Sequence, residues 1–154
     1  MDTDRGDLAP AAPARVRTKP SWLLNQGAIV ANRLSGERLA TAGARRYHYA
    51  LLAALDEAGP ASQAELSRRT TIDGSDMVET VNELAERGLL KRTADATDRR
   101  RNVISITVPG RRHLRRLDQL LADVQADLLA PLSAAERRQL VDLLTRLIEH
   151  HTGT

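Results

Sequence analysis

A run of four charged residues, Asp98-Arg99-Arg100-Arg101, is the most concentrated chemical signal in this 154-residue sequence. The run lies in the polar segment 93–102, between two short stretches of alternating polar and apolar residues. Guanidinium groups bind phosphate oxygens through paired hydrogen bonds, and arginine in a narrow minor groove gains from the negative potential there. The alternating stretches predict a β-hairpin with the arginines at its tip. Such a tip either contacts DNA or is a solvated charge run.

A second chemical signal is segment 73–87, where Met77, Val81 and Leu84 recur at helical spacing and predict one buried face. This predicted helix carries five carboxylates against one arginine, a net charge of −4. Carboxylates are repelled by phosphates, although they can accept a hydrogen bond from cytosine N4. If the helix reads DNA, we expect base contacts mainly from Ser75, Asp76, Val78, Glu79 and Asn82.

A shorter helix should precede it, because Ser62-Gln63-Ala64-Glu65 has the spacing of a capping box. This helix is predicted to end near Arg69, and either Asp73 or Ser75 would cap the next helix after a tight turn. Two short helices joined in this way can place the second in a major groove. Most of the affinity would then come from Arg68, Arg69 and the hairpin arginines on phosphates.

The flanking segments show helical periodicity, which predicts a mainly α protein with a small β-hairpin wing. We interpret it as a winged helix-turn-helix lobe with N- and C-terminal dimerisation helices. The expected divisions are a flexible tail at 1–19, a first dimerisation helix at 20–44, the DNA-binding lobe at 45–108 and the last two helices at 109–150. A basic arm at Arg15, Arg17 and Lys19, or phosphate contacts from the arginines of 111–116, are weaker possibilities.

Three motifs resemble the MarR (multiple antibiotic resistance regulator) family: NELAERGLLKR, then Asp98-Arg99-Arg100, then ITVPGRR. The resemblance implies a homodimer that binds double-stranded, pseudo-palindromic operator DNA and represses or activates transcription. It also implies that Arg100 enters the minor groove while Asp98 holds its guanidinium group. With this resemblance we favour DNA contact over a solvated tip. The acidic helix instead favours a rival, a winged-helix module for protein interaction or architecture without operator specificity.

The resemblance further implies a small-molecule effector, often phenolic, lodged between the dimerisation helices and the lobe. The polar and aromatic residues available there are Trp22, Asn25, Gln26, Tyr47 and His48. The alternative is that Trp22 and Tyr47 belong to the core, where Tyr47 would start the apolar stripe of the second helix, and that no effector exists. Arg45 and Arg46 could serve a ligand carboxylate or a phosphate.

Composition excludes several other classes of function. The chain has no cysteine, so disulfides and thiolate chemistry are absent, and its formal net charge is +3. We see no nucleophile motif, glycine-rich phosphate loop or metal-ligand spacing, so we expect no enzyme activity and no cofactor. No apolar run reaches membrane-spanning length, so we expect a cytoplasmic protein without a membrane partner.

Overall fold

The computed structural model describes residues 12–153 and is mainly helical, with one β-hairpin. This confirms the predicted fold class. In chain order the elements are α1 (Ala14–Arg17), α2 (Pro20–Ala40), α3 (Arg46–Ala58), α4 (Gln63–Thr70), α5 (Gly74–Glu86), β1 (Leu90–Ala94), β2 (Asn102–Ile106), α6 (Val108–Leu128) and α7 (Ala134–Thr152).

Short polar side chains start α4 and α5, as the sequence indicates. The Ser62 hydroxyl accepts from the Glu65 amide at 3.3 Å, and the Glu65 carboxylate accepts from the Ser62 amide at 3.0 Å. The cap of α5 is Asp73, whose carboxylate accepts from the Asp76 amide at 3.2 Å. These bonds satisfy amides that a helix start leaves without partners.

The core of the lobe lies where α3, α4, α5 and the hairpin meet. Its fully buried side chains include Leu51, Leu52, Leu55, Leu66, Met77, Val81, Leu84 and Ile104. A single residue of the α3–α4 connection extends the sheet, because Ala61 and Ile104 exchange backbone hydrogen bonds of 3.1 and 2.8 Å. This bridge fixes the hairpin against the start of α4.

The hairpin is joined to α6 by a close backbone approach at Gly110. The Thr107 hydroxyl donates to the Gly88 carbonyl at 2.7 Å and accepts from the Gly110 amide at 3.0 Å. A Cβ on Gly110 would lie 2.1 Å from the Leu89 carbonyl oxygen, so only glycine fits there without a shift of the backbone. The glycine of the ITVPGRR motif is therefore required for the close packing of α6 against the hairpin.

The long helices α2 and α6 pack side by side. Arg38 on α2 contacts Asp127 at 2.9 Å and Asp123 at 3.5 Å, and Leu39 and Val124 are buried. Tyr49 on α3 donates to Asp118 on α6 at 2.7 Å, and this hydrogen bond is the main reason that the pKa of Tyr49 rises to about 12. These contacts attach the lobe to the flanking helices.

The terminal helices leave apolar side chains uncovered, and no residue of α7 is buried. The exposed apolar residues of α1, α2 and α7 are Val16, Leu23, Leu24, Ile29, Val141, Leu143, Leu147 and Ile148. The predicted tail differs in part, because 14–17 form one helical turn, while residues 1–11 lie outside the described part. These helices thus present apolar faces that no other part of residues 12–153 covers.

One core assignment from the sequence is wrong. Tyr47 is 42% exposed, and the buried stripe of α3 instead consists of His48, Leu51, Leu52 and Leu55. Leu51 and Leu55 are buried as predicted, and only the first position differs, because the His48 side chain turns inward to bond with Glu83 on α5.

Candidate nucleic-acid interface

The hairpin carries its basic residues on a closed seven-residue tip. Ala94 pairs with Asn102 in the last rung of the sheet, and the Asp95 amide donates to the Arg101 carbonyl at 2.9 Å. The Asp95 carboxylate accepts from the backbone amide of Thr97 at 3.0 Å and from its hydroxyl at 2.9 Å. These two bonds, the backbone one foremost, lower the pKa of Asp95 and favour its ionised form.

Asp98 shapes the second half of the tip through the backbone. Its carboxylate accepts from the Arg100 amide at 3.0 Å, and its carbonyl accepts from the Arg101 amide at 3.0 Å. The resemblance implied that Asp98 holds the Arg100 guanidinium group. In the structure the contact is instead an Asx turn, because an aspartate reaches the amide two residues on more easily than a distant side-chain end.

Arg99, Arg100 and Arg101 are exposed, and within residues 12–153 none of them forms an ion pair. Their guanidinium groups are therefore available to an external anion. Arg101 also helps to lower the pKa of Glu65, as do Arg69 and Arg68, after the larger effect of the Ser62 amide. The arginines at the end of α4 and Arg101 of the tip are thus all close enough to the Glu65 carboxylate to interact with its charge.

The outer face of α5 consists of Ser75, Val78, Glu79 and Asn82, all exposed. Their spacing of three and four residues aligns them along one side of the helix. The opposite side carries the buried Met77, Thr80, Val81 and Leu84. Asp76 is half-buried beside the outer face and lies in the first turn, where its charge favours the helix start. Four of the five predicted base-contacting residues therefore share one accessible surface.

Two of the five carboxylates lie away from this outer face, whereas Glu86 is exposed two helical turns beyond Glu79. Asp73 is the N-cap, and Glu83 faces α3, where Arg45 and His48 both bond to its carboxylate. His48 Nδ1 accepts from the Arg45 amide at 3.1 Å, so Nε2 donates to Glu83 at 2.6 Å. The His48 hydrogen bond, followed by that of Arg45, lowers the pKa of Glu83. Of the carboxylates, only Glu79 lies among the outer-face residues.

A link between the wing and α5 was not predicted from the sequence. Arg92 on β1 donates a hydrogen bond to the side-chain carbonyl of Asn82 on the outer face. The two residues stand at the two ends of the NELAERGLLKR motif, which was the available signal. Because the bond fixes the amide oxygen, the Asn82 NH₂ group remains directed elsewhere as a donor.

Some of the remaining arginines are exposed, and others bond to side chains within the protein. Arg68 and Arg69 are exposed in the last turn of α4, where positive charge is favourable. In contrast, Arg46 donates to Asn32 at 2.7 Å, and Arg111 pairs with Asp56 at 3.4 Å. Arg45 is held by Glu83, so the structure gives three of the arginines suggested for phosphate or ligand contact an internal partner.

Of the five residues predicted to line a ligand pocket, four do not border the cleft that His48 borders. His48 borders a cleft of about 470 Å³ between the start of α3 and the end of α5, with the charged side chains of Arg45, Glu83, Glu86 and Arg87. Trp22, Asn25 and Gln26 lie on the first two turns of α2 and do not border this cleft, nor does Tyr47. The sequence missed the cleft because Glu83 and Glu86 come from α5 and Arg87 from the residue that follows it.

Over the described residues, no cluster of three or more histidine or acidic side chains is arranged to hold a metal ion. No helix within residues 12–153 is long and apolar enough to span a membrane.

The order of α3, α4, α5 and the hairpin, with the Ala61 bridge, defines a winged helix-turn-helix lobe. Comparison with known proteins places this lobe in a family. Residues 43–101 match the MarR family. A Thauera aromatica protein named as a transcriptional regulatory protein for the hcr operon is 33% identical over 149 residues, covering 96% of this chain and 90% of the relative.

Solved structures of other proteins superpose on most of this chain. A chain from Pseudomonas aeruginosa named as a transcriptional regulator superposes with a TM-score of 0.77 at 32% identity, covering 86% of this chain and 99% of that one. The PcaV transcriptional regulator from Streptomyces coelicolor, in complex with its natural ligand, gives 0.74 at 30% identity, with 90% and 97% covered. The chain belongs to the MarR family of transcriptional regulators.

Proposed function

We propose that this regulator is a cytoplasmic homodimer that binds a pseudo-palindromic operator and represses transcription, without enzyme activity of its own. In each lobe, at 45–108, the outer face of α5 enters the major groove and the wing tip reaches the adjacent minor groove. The observation that carries the proposal is the wing tip. Two aspartate turns fix the backbone of the tip, and its three exposed arginines have no ion-pair partner within residues 12–153.

The dimer is proposed to form through 20–44 and 109–150. Leu147 is 50% and Ile148 62% exposed, and exposed leucines lie on α2 as well. An apolar surface of this extent favours burial against a second copy. Light scattering at micromolar concentration should give twice the monomer mass. Leu147→Asp should shift the mass toward monomer, whereas the control Val108→Asp, an exposed aliphatic residue outside these faces, should not. A monomeric native chain would contradict the dimer.

Operator binding is tested by gel shift with the DNA upstream of the chain's own gene, at two salt concentrations and with competitor DNA. Specific binding should persist over competitor and weaken steeply as salt rises, because phosphate contacts release counterions. Uniform weak binding to any duplex would favour the architectural alternative, for which the acidity of α5 is the supporting observation.

A small-molecule effector is a second part of the proposal, supported by the PcaV relative with its bound ligand. In the 470 Å³ cleft beside His48, Glu83 holds Arg45, and Arg87 is the cation proposed to bind an anionic or phenolic ligand. Calorimetry over a panel of phenolic and aromatic carboxylates should find a binder that weakens operator affinity. A panel without any binder would support control by protein abundance alone.

A further inference from the structure

Glu79 is a carboxylate in a place where a DNA-binding helix would ordinarily avoid one. It lies on the outer face of α5, one residue from the 47%-exposed Val78, and it forms no ion pair or side-chain hydrogen bond within residues 12–153. Glu83, one turn later, shows the contrast, since Arg45 and His48 hold its charge against α3. Nothing internal therefore accounts for the charge of Glu79.

In a major groove, this carboxylate discriminates strongly between bases. An ionised carboxylate only accepts hydrogen bonds, and the donors that base edges offer are the amino groups of cytosine N4 and adenine N6. Guanine and thymine present acceptors, which repel it. Adenine places the N7 acceptor beside its amino group, whereas the neighbour of cytosine N4 is an uncharged C5–H edge. Cytosine is thus the base that a carboxylate fits best.

The charge also acts against incorrect sequences. A carboxylate enclosed beside phosphates without a donor loses its hydration and gains repulsion, so a mismatched site is penalised more than a matched site is rewarded. Three wing-tip arginines that bind any duplex supply affinity without sequence information. Glu79 compensates for this by lowering affinity for every duplex that lacks the matching donor.

We infer that Glu79 is a specificity-determining residue that selects cytosine at one base pair in each operator half-site and rejects guanine and thymine there. This inference rests on the proposed operator binding. The neighbouring Val78 adds an apolar contact suited to a thymine methyl group.

The test is selection of binding sites from a randomised duplex library by the full chain and by two variants. Glu79→Gln keeps the shape and removes the charge, and Glu57→Gln is the control, because Glu57 is an exposed carboxylate on α3, away from the outer face of α5 and from the cleft beside His48. The native chain should prefer cytosine over guanine or thymine at one position per half-site by about 10-fold or more.

In Glu79→Gln this cytosine preference should fall below about 3-fold, and adenine should rise, because glutamine pairs with adenine N6 and N7. Affinity for unselected duplexes should also increase, while Glu57→Gln retains the cytosine preference. Loss of cytosine, with or without gain of adenine, supports the inference. A native motif that Glu79→Gln leaves unchanged overturns it. If the native chain selects no motif at all, the proposed function fails instead.

Discussion

The Asp98 carboxylate accepts a hydrogen bond from the backbone amide of Arg100 at 3.0 Å. Asp98 therefore fixes the backbone conformation of the wing tip. The family resemblance implies a different mechanism, in which the charge of Asp98 holds the guanidinium group of Arg100. Two variants separate these mechanisms, because asparagine keeps the acceptor oxygen and loses the charge, whereas alanine loses both.

We predict that Asp98→Asn binds operator DNA as tightly as the native chain or more tightly, since the Asx turn persists and a charge near phosphate is gone. Asp98→Ala should weaken binding several-fold, because losing one such hydrogen bond costs about 0.5–1.5 kcal/mol. Fluorescence anisotropy at fixed salt measures both. Equal losses in the two variants would show that charge pairing with the guanidinium group is what matters.

Arg100→Ala should cost about 1–3 kcal/mol of binding free energy if the side chain is inserted in the groove. The slope of log affinity against log salt should decrease by about 1, because one phosphate-directed charge is lost. The matched control is Arg33→Ala on α2, which removes an exposed arginine paired with Glu37 outside the lobe. An Arg100→Ala affinity equal to that of the control would refute the insertion.

We predict that the protein loses stability on mild acidification because His113 becomes protonated. Its Nε2 is buried without a hydrogen-bond partner among the described residues. Burial lowers the pKa of His113, and the charges of Arg87 and Arg116 lower it further. The folded pKa thus lies below the unfolded value of about 6.5. The contribution of the neutral His113 to the free energy of unfolding is therefore fully present above pH 6.5 and is lost as the pH falls through the folded pKa.

The measurement is the melting temperature between pH 7 and pH 5, a window above the one in which Glu83 titrates, because the pKa of Glu83 lies below its usual range. The native chain should lose stability over this window, and His113→Leu should lose less, since it binds no proton and leaves no unpaired nitrogen. The exposed His151→Gln serves as control and should follow the native curve. Parallel curves for His113→Leu and the native chain would contradict the prediction.

Gly110→Ala should destabilise the fold by about 1–3 kcal/mol, because its methyl group would press into the Leu89 carbonyl. Gly36→Ala, on an open part of α2, has nothing within 4 Å of the new methyl group. That control should be neutral or stabilising by up to about 1 kcal/mol through helix propensity. Urea unfolding at one protein concentration compares them, and similar midpoints would show that the close approach is not a constraint.

Local signals account for the parts of the fold that the sequence predicted. The Ser62–Glu65 capping box, the helical stripe of Met77, Val81 and Leu84, and the alternation around the hairpin are each contained within a few residues. The Ala61 bridge could not be found in this way, because a single strand residue has no periodicity. The link between Asn82 and Arg92 depends on how the wing folds onto α5.

In the candidate site, too, some features follow from the local sequence and others from tertiary packing. The exposure of the wing arginines follows from their place in a polar tip, and the outer face of α5 follows from its helical period. The burial of His48 in place of Tyr47, and the capture of Glu83 by α3, depend on packing between elements. Those tertiary contacts determined which of the acidic and aromatic residues were left accessible.

The central claim is that two lobes of one dimer read a two-fold operator with helix and wing together. Hydroxyl-radical footprinting of the full chain on its own upstream DNA tests this most directly. We predict two symmetric protected segments with centres about one helical turn apart, and minor-groove protection at their flanks that Arg100→Ala removes. A single protected segment, or protection spread evenly along the duplex, would contradict the account.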